Sequence, residues 1–315
     1  MDELNKNLKV SVFADSPLCV TTINMLLQQQ QLAGVVLGNN NPTFTRQLQD
    51  WLQQLNIPFI QFSPDNTEKV TAALIRWESN LALSFTMEDN FPTQFSALFN
   101  DGLYHFHHSP FPAYQGVMSL YWQLRDQRTQ TKITLQKANV LAEAPQLTHD
   151  IFTSPAIDIH PLDTFQSLEY KITKNIAPMV NQLLEQIQQG NVQLSVTEFT
   201  TSIAPAVQEN DLKVNWHTMS SEQICALARA GNPHLGGCIV TLGQTALNLL
   251  QASPVKYPTY GVSAGTICHT GKSDGVIVAT IDGAIKFDIL SNADGIFSGS
   301  VFCEKSKIEA GMAFI

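Results

Sequence analysis

Short apolar runs and longer amphipathic stretches alternate along the first 85 residues. Four apolar runs of strand length are predicted to be buried strands: Leu8–Ala14, Leu32–Gly38, Pro58–Phe62 and Asn80–Phe85. Three stretches with apolar residues at helical spacing are predicted to be helices: Val20–Gln31, Thr45–Leu55 and Thr67–Glu78. Strands that alternate with helices indicate a parallel sheet covered on both faces. We therefore predict an open, doubly wound, Rossmann-like α/β domain, with ligands beyond the carboxyl ends of its strands.

The pattern changes after one long helix, which is predicted from Thr164 to Gln189. Asp163 is its expected N-cap, and Pro178 predicts a kink or a break inside it. A linker containing proline and a short capped helix, Ser220–Ala230, come next. Short strands separated by Gly turns then indicate a small β-barrel: Cys238–Leu242, Gly261–Cys268, Val276–Ile281, Ile285–Leu290 and Ser300–Glu304.

Composition narrows the class of protein. A chain of 315 residues with 44% hydrophobic and 14% charged residues suits two packed domains. Its net charge of −9 disfavours nonspecific binding to nucleic acid or anionic membranes. Five cysteines without a C-x-x-C pair argue against a disulfide framework or a thiolate zinc site. Since no apolar run reaches about 18 residues, we predict a cytoplasmic protein that does not enter the membrane.

Candidate chemistry is concentrated in Tyr104–Gly116, which reads YHFHHSPFPAYQG and follows the fourth strand. Three interpretations of this cluster stay open. The cluster could be a structural turn held by its two prolines. It could be a zinc site, because His105 and His107 lie on one face of a strand and Glu143 could be a third ligand. It could also be catalytic.

The same segment resembles the signature of methionyl-tRNA formyltransferase and its relatives, Asn-x-His-Pro-Ser-Leu-Leu-Pro followed by Arg and Gly. His107 stands at the position of the catalytic histidine, and His105 replaces the asparagine. Ser109, Pro112 and Gly116 keep their places, whereas Gln115 replaces the arginine.

The resemblance extends beyond this segment. Ile133-Thr134-Leu135 is similar to a Val-Thr-Ile strand of the family, and Glu143 falls at the place of its catalytic aspartate. Asn215-Trp216, Ile224–Arg229 and Asn232-Pro233 are similar to the start of the family's C-terminal domain.

The resemblance implies a formyltransferase-like α/β domain over residues 1–200 and an OB-like β domain over residues 206–315. It implies transfer of a formyl group from 10-formyltetrahydrofolate to an amine, without a metal. His107 would be the central acid/base, His105 the oxyanion donor and Glu143 the carboxylate partner. The implied contacts to the folate are Phe85, Thr86, Met87, Ser109, Phe111 and Pro112. The implied contacts to the acceptor are Tyr114, Gln115 and Gly116.

Departures from the family pattern keep the function open. Histidine replaces asparagine at 105, glutamate replaces aspartate at 143, and the turn at Phe85–Glu88 lacks the family's glycine. Two further hypotheses therefore stand beside the transferase: a hydrolase of a formyl-folate or related donor, and a non-catalytic homologue that binds a ligand or partner.

Charge also bears on the acceptor. Asn39–Thr45, at the place of the basic loop in the tRNA enzymes, carries no positive charge. The C-terminal region interleaves 7 Lys and Arg with 9 Asp and Glu, whereas a tRNA binder needs a clustered basic surface. We therefore expect a small-molecule amine as acceptor rather than nucleic acid. The oligomeric state is not predicted.

Overall fold

A computed structural model of the chain describes residues 7–85, 93–138, 148–198 and 201–315. The described chain divides into two compact units that are interleaved in sequence. The first unit comprises Met1–Ala113, Lys132–Ala156 and Lys171–Ser202, and the second comprises Tyr114–Thr131, Ile157–Tyr170 and Ile203–Ile315.

Sixteen strands are present in the described ranges. In chain order they are β1 Val10–Ala14, β2 Leu32–Leu37, β3 Phe59–Gln61, β4 Leu81–Phe85, β5 Leu103–His107, β6 Gln130–Thr131, β7 Thr134–Lys137, β8 Thr148–Thr153, β9 Ile157–Asp158, β10 Ser195–Glu198, β11 Cys238–Leu242, β12 Thr245–Val255, β13 Ile267–Gly271, β14 Gly275–Ala279, β15 Ala284–Asn292 and β16 Gly295–Ser298.

Eight α-helices accompany them in the same ranges. They are α1 Val20–Gln28, α2 Pro42–Gln54, α3 Thr67–Arg76, α4 Ser119–Arg125, α5 Phe165–Gln188, α6 Glu209–Leu212, α7 Ser221–Gly231 and α8 Gly299–Ser306. Among the helices so described, none combines the length and the apolar character that crossing a bilayer requires.

The first unit is built on an eight-stranded sheet with the order β10-β8-β7-β5-β4-β1-β2-β3. Strands β1 to β5 are parallel, as the alternation of strands and helices predicts. β7, β8 and β10 add to the sheet in antiparallel pairing, so the sheet is mixed rather than wholly parallel. Antiparallel neighbours need no crossover helix between them, so these strands cannot be predicted from an alternation of strands and helices.

Burial explains the central position of β1 and β4. Every residue of both strands is buried, as expected for strands covered on two faces. On one face, Phe13, Ala82 and Leu103 join an apolar core that includes Phe95 and Phe99.

The second unit contains an antiparallel sheet with the order β11-β12-β15-β14-β13, with β16 pairing to β15. The last residues of the chain connect its two outer strands: Leu242 at the end of β11 bridges to Phe314, and Thr266 before β13 bridges to Ala313. The short strands β6 and β9 form a separate pair. α7 begins with a capping box between Ser220 and Gln223.

Three expectations for this part of the chain are corrected. β12, the longest strand, was not predicted, because Asn248, Gln251 and Ser253 interrupt its apolar pattern. Gly261–Cys268 was predicted as a strand, yet only its last two residues enter β13. Ser300–Glu304 is helical, since the Ser298 hydroxyl accepts from the Val301 N–H and starts α8.

The long helix α5 also differs in detail from the prediction. It runs through Pro178 as one helix, so the alternative of a break there is wrong. The residue before the helix is Thr164, whose Oγ1 accepts from the Ser167 N–H at 3.2 Å. Asp163 instead accepts from the Ser167 hydroxyl at 2.8 Å and the His160 N–H at 2.7 Å.

Candidate active site

The histidines lie at the carboxyl end of β5, where the two halves of the sheet meet. β5 pairs with β4 in parallel and with β7 in antiparallel register. His105 is opposite Ser84 on one side and Gln136 on the other, and His107 is opposite Thr134. Because side chains of paired residues project to the same face, these five polar side chains share one face of the sheet.

His107 is buried, with 8% of its surface exposed. Its Nε2 lies 3.1 Å from Gln136 Oε1. Its ring stacks on Phe111, with centroids 4.0 Å apart and an interplanar angle of 27°. An amide oxygen only accepts, so this assignment places a proton on Nε2 and leaves Nδ1 of the neutral ring as an acceptor.

His105 differs electrostatically although it is only two residues away. Burial lowers the pKa of His105 to about 4, so its imidazole is neutral near pH 7. A neutral ring still offers one N–H donor. Beside it, the Ser84 hydroxyl is 1% exposed and makes no hydrogen bond to any group in the described ranges.

The loop after β5 is fixed to β7 through backbone atoms. The Ser109 carbonyl accepts from Thr134 Oγ1 at 2.9 Å and from the Phe111 N–H at 2.8 Å. The peptide bond between Phe111 and Pro112 is cis. Ser109 and Phe111 are buried, at 2% and 5% exposure. The loop therefore holds the Phe111 ring against His107.

Other predicted residues lie elsewhere. Phe85 is fully buried and stacks on Phe106 at 5.0 Å, on the face opposite His105 and His107. Thr86, Met87 and Glu143 lie outside the described residues.

Tyr114, Gln115 and Gly116 belong to the second unit. There, the Tyr114 hydroxyl donates to Asp126 Oδ2 at 2.9 Å, and the Gln115 carbonyl accepts from the Ala204 N–H at 2.6 Å. Gly116 has φ +127°, and a Cβ atom at this position would lie 2.4 Å from the Ala204 oxygen. Only glycine fits there without strain.

Two polar residues at the same sheet edge were missed from the sequence. Gln136 lies in β7 and contacts His107, as described above. Asp15 directly follows β1, is 6% exposed, and accepts from the Asn40 N–H at 3.0 Å. Burial raises the pKa of Asp15 despite hydrogen bonds from the Asn40 and Asn41 backbone. A carboxylate immediately after the apolar run VSVFA was the signal that could have identified it.

Within the described residues, no group of three His, Cys, Asp or Glu side chains could hold a metal ion. Glu143, the third ligand of the zinc hypothesis, lies outside these ranges.

The known sequences reported next, to which this chain is similar, are formyltransferases. Residues 206–304 match the model of the formyl transferase C-terminal domain. The chain is 24% identical over 239 residues to the methionyl-tRNA formyltransferase of Geobacter metallireducens, which covers 76% of this chain and 74% of that protein. A second methionyl-tRNA formyltransferase, from Thermotoga maritima, is 24% identical over 59% of this chain and 56% of its own.

Solved structures share the fold. An N-formyltransferase from Helicobacter canadensis, in complex with folinic acid and dTDP-3-aminofucose, superposes with a TM-score of 0.64 at 13% identity. The match covers 89% of this chain and 98% of that one. HypX from Aquifex aeolicus in complex with tetrahydrofolic acid superposes with a TM-score of 0.57 at 13% identity, over 95% of this chain and 47% of HypX.

Proposed function

We propose that this chain is a member of the formyltransferase family that transfers a formyl group from 10-formyltetrahydrofolate to the amine of a small metabolite in the cytoplasm. The observation that carries the proposal is the placement of His107 at the carboxyl end of β5. There the imidazole is buried, stacked on Phe111 and hydrogen-bonded to Gln136. Ligands bind at this edge in open α/β sheets.

His107 acts as the central acid/base in this proposal. Contact with Gln136 Oε1 orients the ring, so the second ring nitrogen keeps a fixed direction. A positioned imidazole can take a proton from an attacking amine and can donate a hydrogen bond to an oxygen that gains negative charge. Each such donor can contribute ~3 kcal/mol to the stability of the transition state.

His105 supplies a neutral donor on the same face. With its pKa near 4, it does not compete with His107 for a positive charge at neutral pH. The family's asparagine is also a neutral N–H donor, so histidine can replace it without adding charge. Glu143 completes the proposed set as the carboxylate partner of His107.

A folate donor is supported by the complexes of related folds with folinic acid and tetrahydrofolic acid. When bound, the donor supplies the formyl carbon. The buried Ser84 hydroxyl beside His105 is a polar group that a ligand could satisfy. We assign the folate to Phe85, Thr86, Met87, Ser109, Phe111 and Pro112. For Phe85 the contact would use backbone atoms, since its side chain faces away.

The proposed acceptor is a small amine, held near Tyr114, Gln115 and Gly116. The net charge of −9 and the interleaved charges of the C-terminal region support this choice over tRNA. The Helicobacter canadensis relative was solved with an amino-sugar nucleotide. We therefore place amino-sugar nucleotides first among the candidates. We also retain the division into an α/β domain of residues 1–200 and an OB-like domain of residues 206–315.

A turnover assay tests the proposal. The purified protein is incubated with 10-formyltetrahydrofolate and, separately, with amino-sugar nucleotides, amino acids, methionyl-tRNA or no acceptor. Tetrahydrofolate is followed by absorbance, and the formylated product is identified by mass spectrometry. We expect release of tetrahydrofolate that depends on a small amine and is accompanied by its N-formyl product.

Other outcomes decide against the proposal. Release of tetrahydrofolate and formate without any amine would identify a hydrolase. Formylation confined to methionyl-tRNA would overturn the small-molecule acceptor. Absence of folate binding by calorimetry, with a cooperative thermal transition, would favour a non-catalytic homologue.

A further inference from the structure

A cavity of about 330 Å³ lies within the second unit. It is formed by α7, by β12 and by the loops before β6 and after β9. This volume is at the lower end of the range for small-molecule sites. The cavity shares no residue with the Tyr104–Gly116 segment, so the proposed function does not account for it.

Positive charge dominates its lining. Arg128 and Arg229 line the cavity together with Glu222, the one carboxylate in the lining. The Arg229 guanidinium is half-buried, and its Nη1 donates to the carbonyls of His160 at 3.3 Å and Asp163 at 3.4 Å. Neutral carbonyls fix the guanidinium without cancelling its charge. Across the described parts of the chain, Arg229 forms no ion pair with a carboxylate.

The electrostatic state of Arg229 favours an added anion. Burial lowers the pKa of Arg229, and the nearby carboxylates of Asp163 and Glu222 oppose that effect only in part. A half-buried cation with incomplete compensation is stabilised when an anion enters beside it. Planar guanidinium groups bind phosphate through two parallel hydrogen bonds.

The remaining walls mix polar and apolar residues, and the apolar part includes Ile159, Cys225 and Ala226. Ile159 is 5% exposed, and Cys225 and Ala226 present the buried side of α7. β12 is irregular at this point, where the Leu250 carbonyl accepts from Asn232 Nδ2 at 3.0 Å. Bulges of this kind often lie beside binding sites.

We propose that this cavity binds a small organic phosphate with an apolar body about the size of a single ring. Arg229 and Arg128 hold the phosphate, and Ile159, Cys225 and Ala226 contact the apolar body. Glu222 at the rim weakens the binding of any anion and thereby limits affinity.

Calorimetric titration of the full chain with phenyl phosphate tests the site. We expect one molecule bound per chain, with affinity at least about 10-fold above that for inorganic phosphate and for phenol. Arg128→Ala should weaken binding by about 10-fold, because one charge-assisted contact is lost. Glu222→Gln should strengthen it by about 3-fold. Arg76→Ala, an exposed arginine of the first unit, is the matched control and should change nothing.

Arg229 is not substituted, because its guanidinium also donates to the His160 and Asp163 carbonyls. Arg128 and Glu222 are exposed side chains, so their substitution should leave the thermal midpoint unchanged. Absence of binding heat at millimolar phenyl phosphate would overturn the site. Equal affinity for wild-type, Arg128→Ala and Glu222→Gln proteins would also overturn it, as would equal affinity for phenyl phosphate and inorganic phosphate.

Discussion

The eight-stranded sheet has a parallel half, β1 to β4, and an antiparallel half, β7, β8 and β10, which meet at β5. The two halves place different side chains beside β5. On the parallel side, β4 is buried along its whole length, and Ser84 is its one polar residue. On the antiparallel side, β7 places Thr134 and Gln136 beside the histidines. One half therefore supplies an apolar wall, and the other supplies hydrogen-bond partners.

The two sides of β5 explain why two imidazoles on one face differ in pKa and in hydrogen bonding. His105 is surrounded by buried groups, and desolvation lowers its pKa to about 4. His107, one pair further along, meets Gln136 and the loop that β7 anchors through Thr134. At the junction of the two halves, His105 is thus a neutral imidazole and His107 is an imidazole oriented by Gln136.

The largest effect should come from His107, the residue at the junction. We expect His107→Ala to lower kcat for formyl transfer by about 10²–10³-fold, because a general acid/base and an oxyanion donor are lost together. Thermal unfolding should confirm that the variant folds. His217→Ala, an exposed histidine of the second unit, is the control and should keep full activity. Unchanged kcat in His107→Ala would remove the residue from the mechanism.

A substitution in the parallel half should affect stability instead of chemistry. Gly34 in β2 faces Trp77, and a Cβ atom there would lie 2.5 Å from the indole ring. We expect Gly34→Ala to lower the free energy of unfolding by about 2 kcal/mol through overpacking, while kcat per folded molecule stays the same. Urea denaturation measures the loss. Gly283→Ala, where the added Cβ meets nothing within 4 Å, is the matched control.

Sequence patterns predicted the parallel half well, because continuous burial leaves a strong signal. The runs that end at Ala14 and Phe85 are mostly apolar, and the predicted strands coincide with β1 and β4 to within two residues at each end. The antiparallel sheet of the second unit was harder to predict. β12 alternates buried and exposed positions and ends in Ser253-Pro254-Val255, a composition that also suits a loop.

The candidate site shows the same division. The sequence motif identified His107 as a candidate residue. It did not identify the contacting residue Gln136, because 29 residues separate the two in the chain. Tyr114, Gln115 and Gly116 stay predicted as substrate contacts, and the structure gives them backbone and hydroxyl contacts within the second unit. Local spacing does not distinguish a side chain that meets a ligand from one that fixes a turn.

Lowering the pH should reduce the stability of the protein, because histidines near the apolar wall formed by β4 are buried in their neutral form. Burial lowers the folded-state pKa of both His105 and His108 to about 4, below the ordinary value near 6.5. Stability is complete above pH 6.5, where both states are neutral, and is lost as pH falls toward 4 because the unfolded chain binds protons first. We expect a loss of about 1–2 kcal/mol for each histidine, after allowance for solvent screening.

Chemical denaturation at several pH values between 7.5 and 4.5 measures the slope of the free energy of unfolding against pH. His105→Asn should reduce the slope by removing one group that titrates, and it should retain activity because the amide is also a neutral donor. His217→Asn, at an exposed position, should leave the slope unchanged. If His105→Asn has the wild-type slope, the apolar wall does not set the charge of His105.

The smallest effect should arise on the antiparallel side, where Gln136 Oε1 lies 3.1 Å from His107 Nε2. We expect Gln136→Leu to lower kcat by about 10-fold, with KM and the thermal midpoint nearly unchanged, since one hydrogen bond to the ring is lost. Gln136→Glu should retain orientation and move the acidic limb of the pH–rate profile upward by about one unit, because a carboxylate favours the imidazolium. Gln47→Leu, on the exposed face of α2, is the control. If Gln136→Leu loses activity and stability to the same extent, and Gln136→Glu does not shift the pH–rate profile, then β7 only packs against β5. The two halves would then differ only in how deeply they bury the residues of β5.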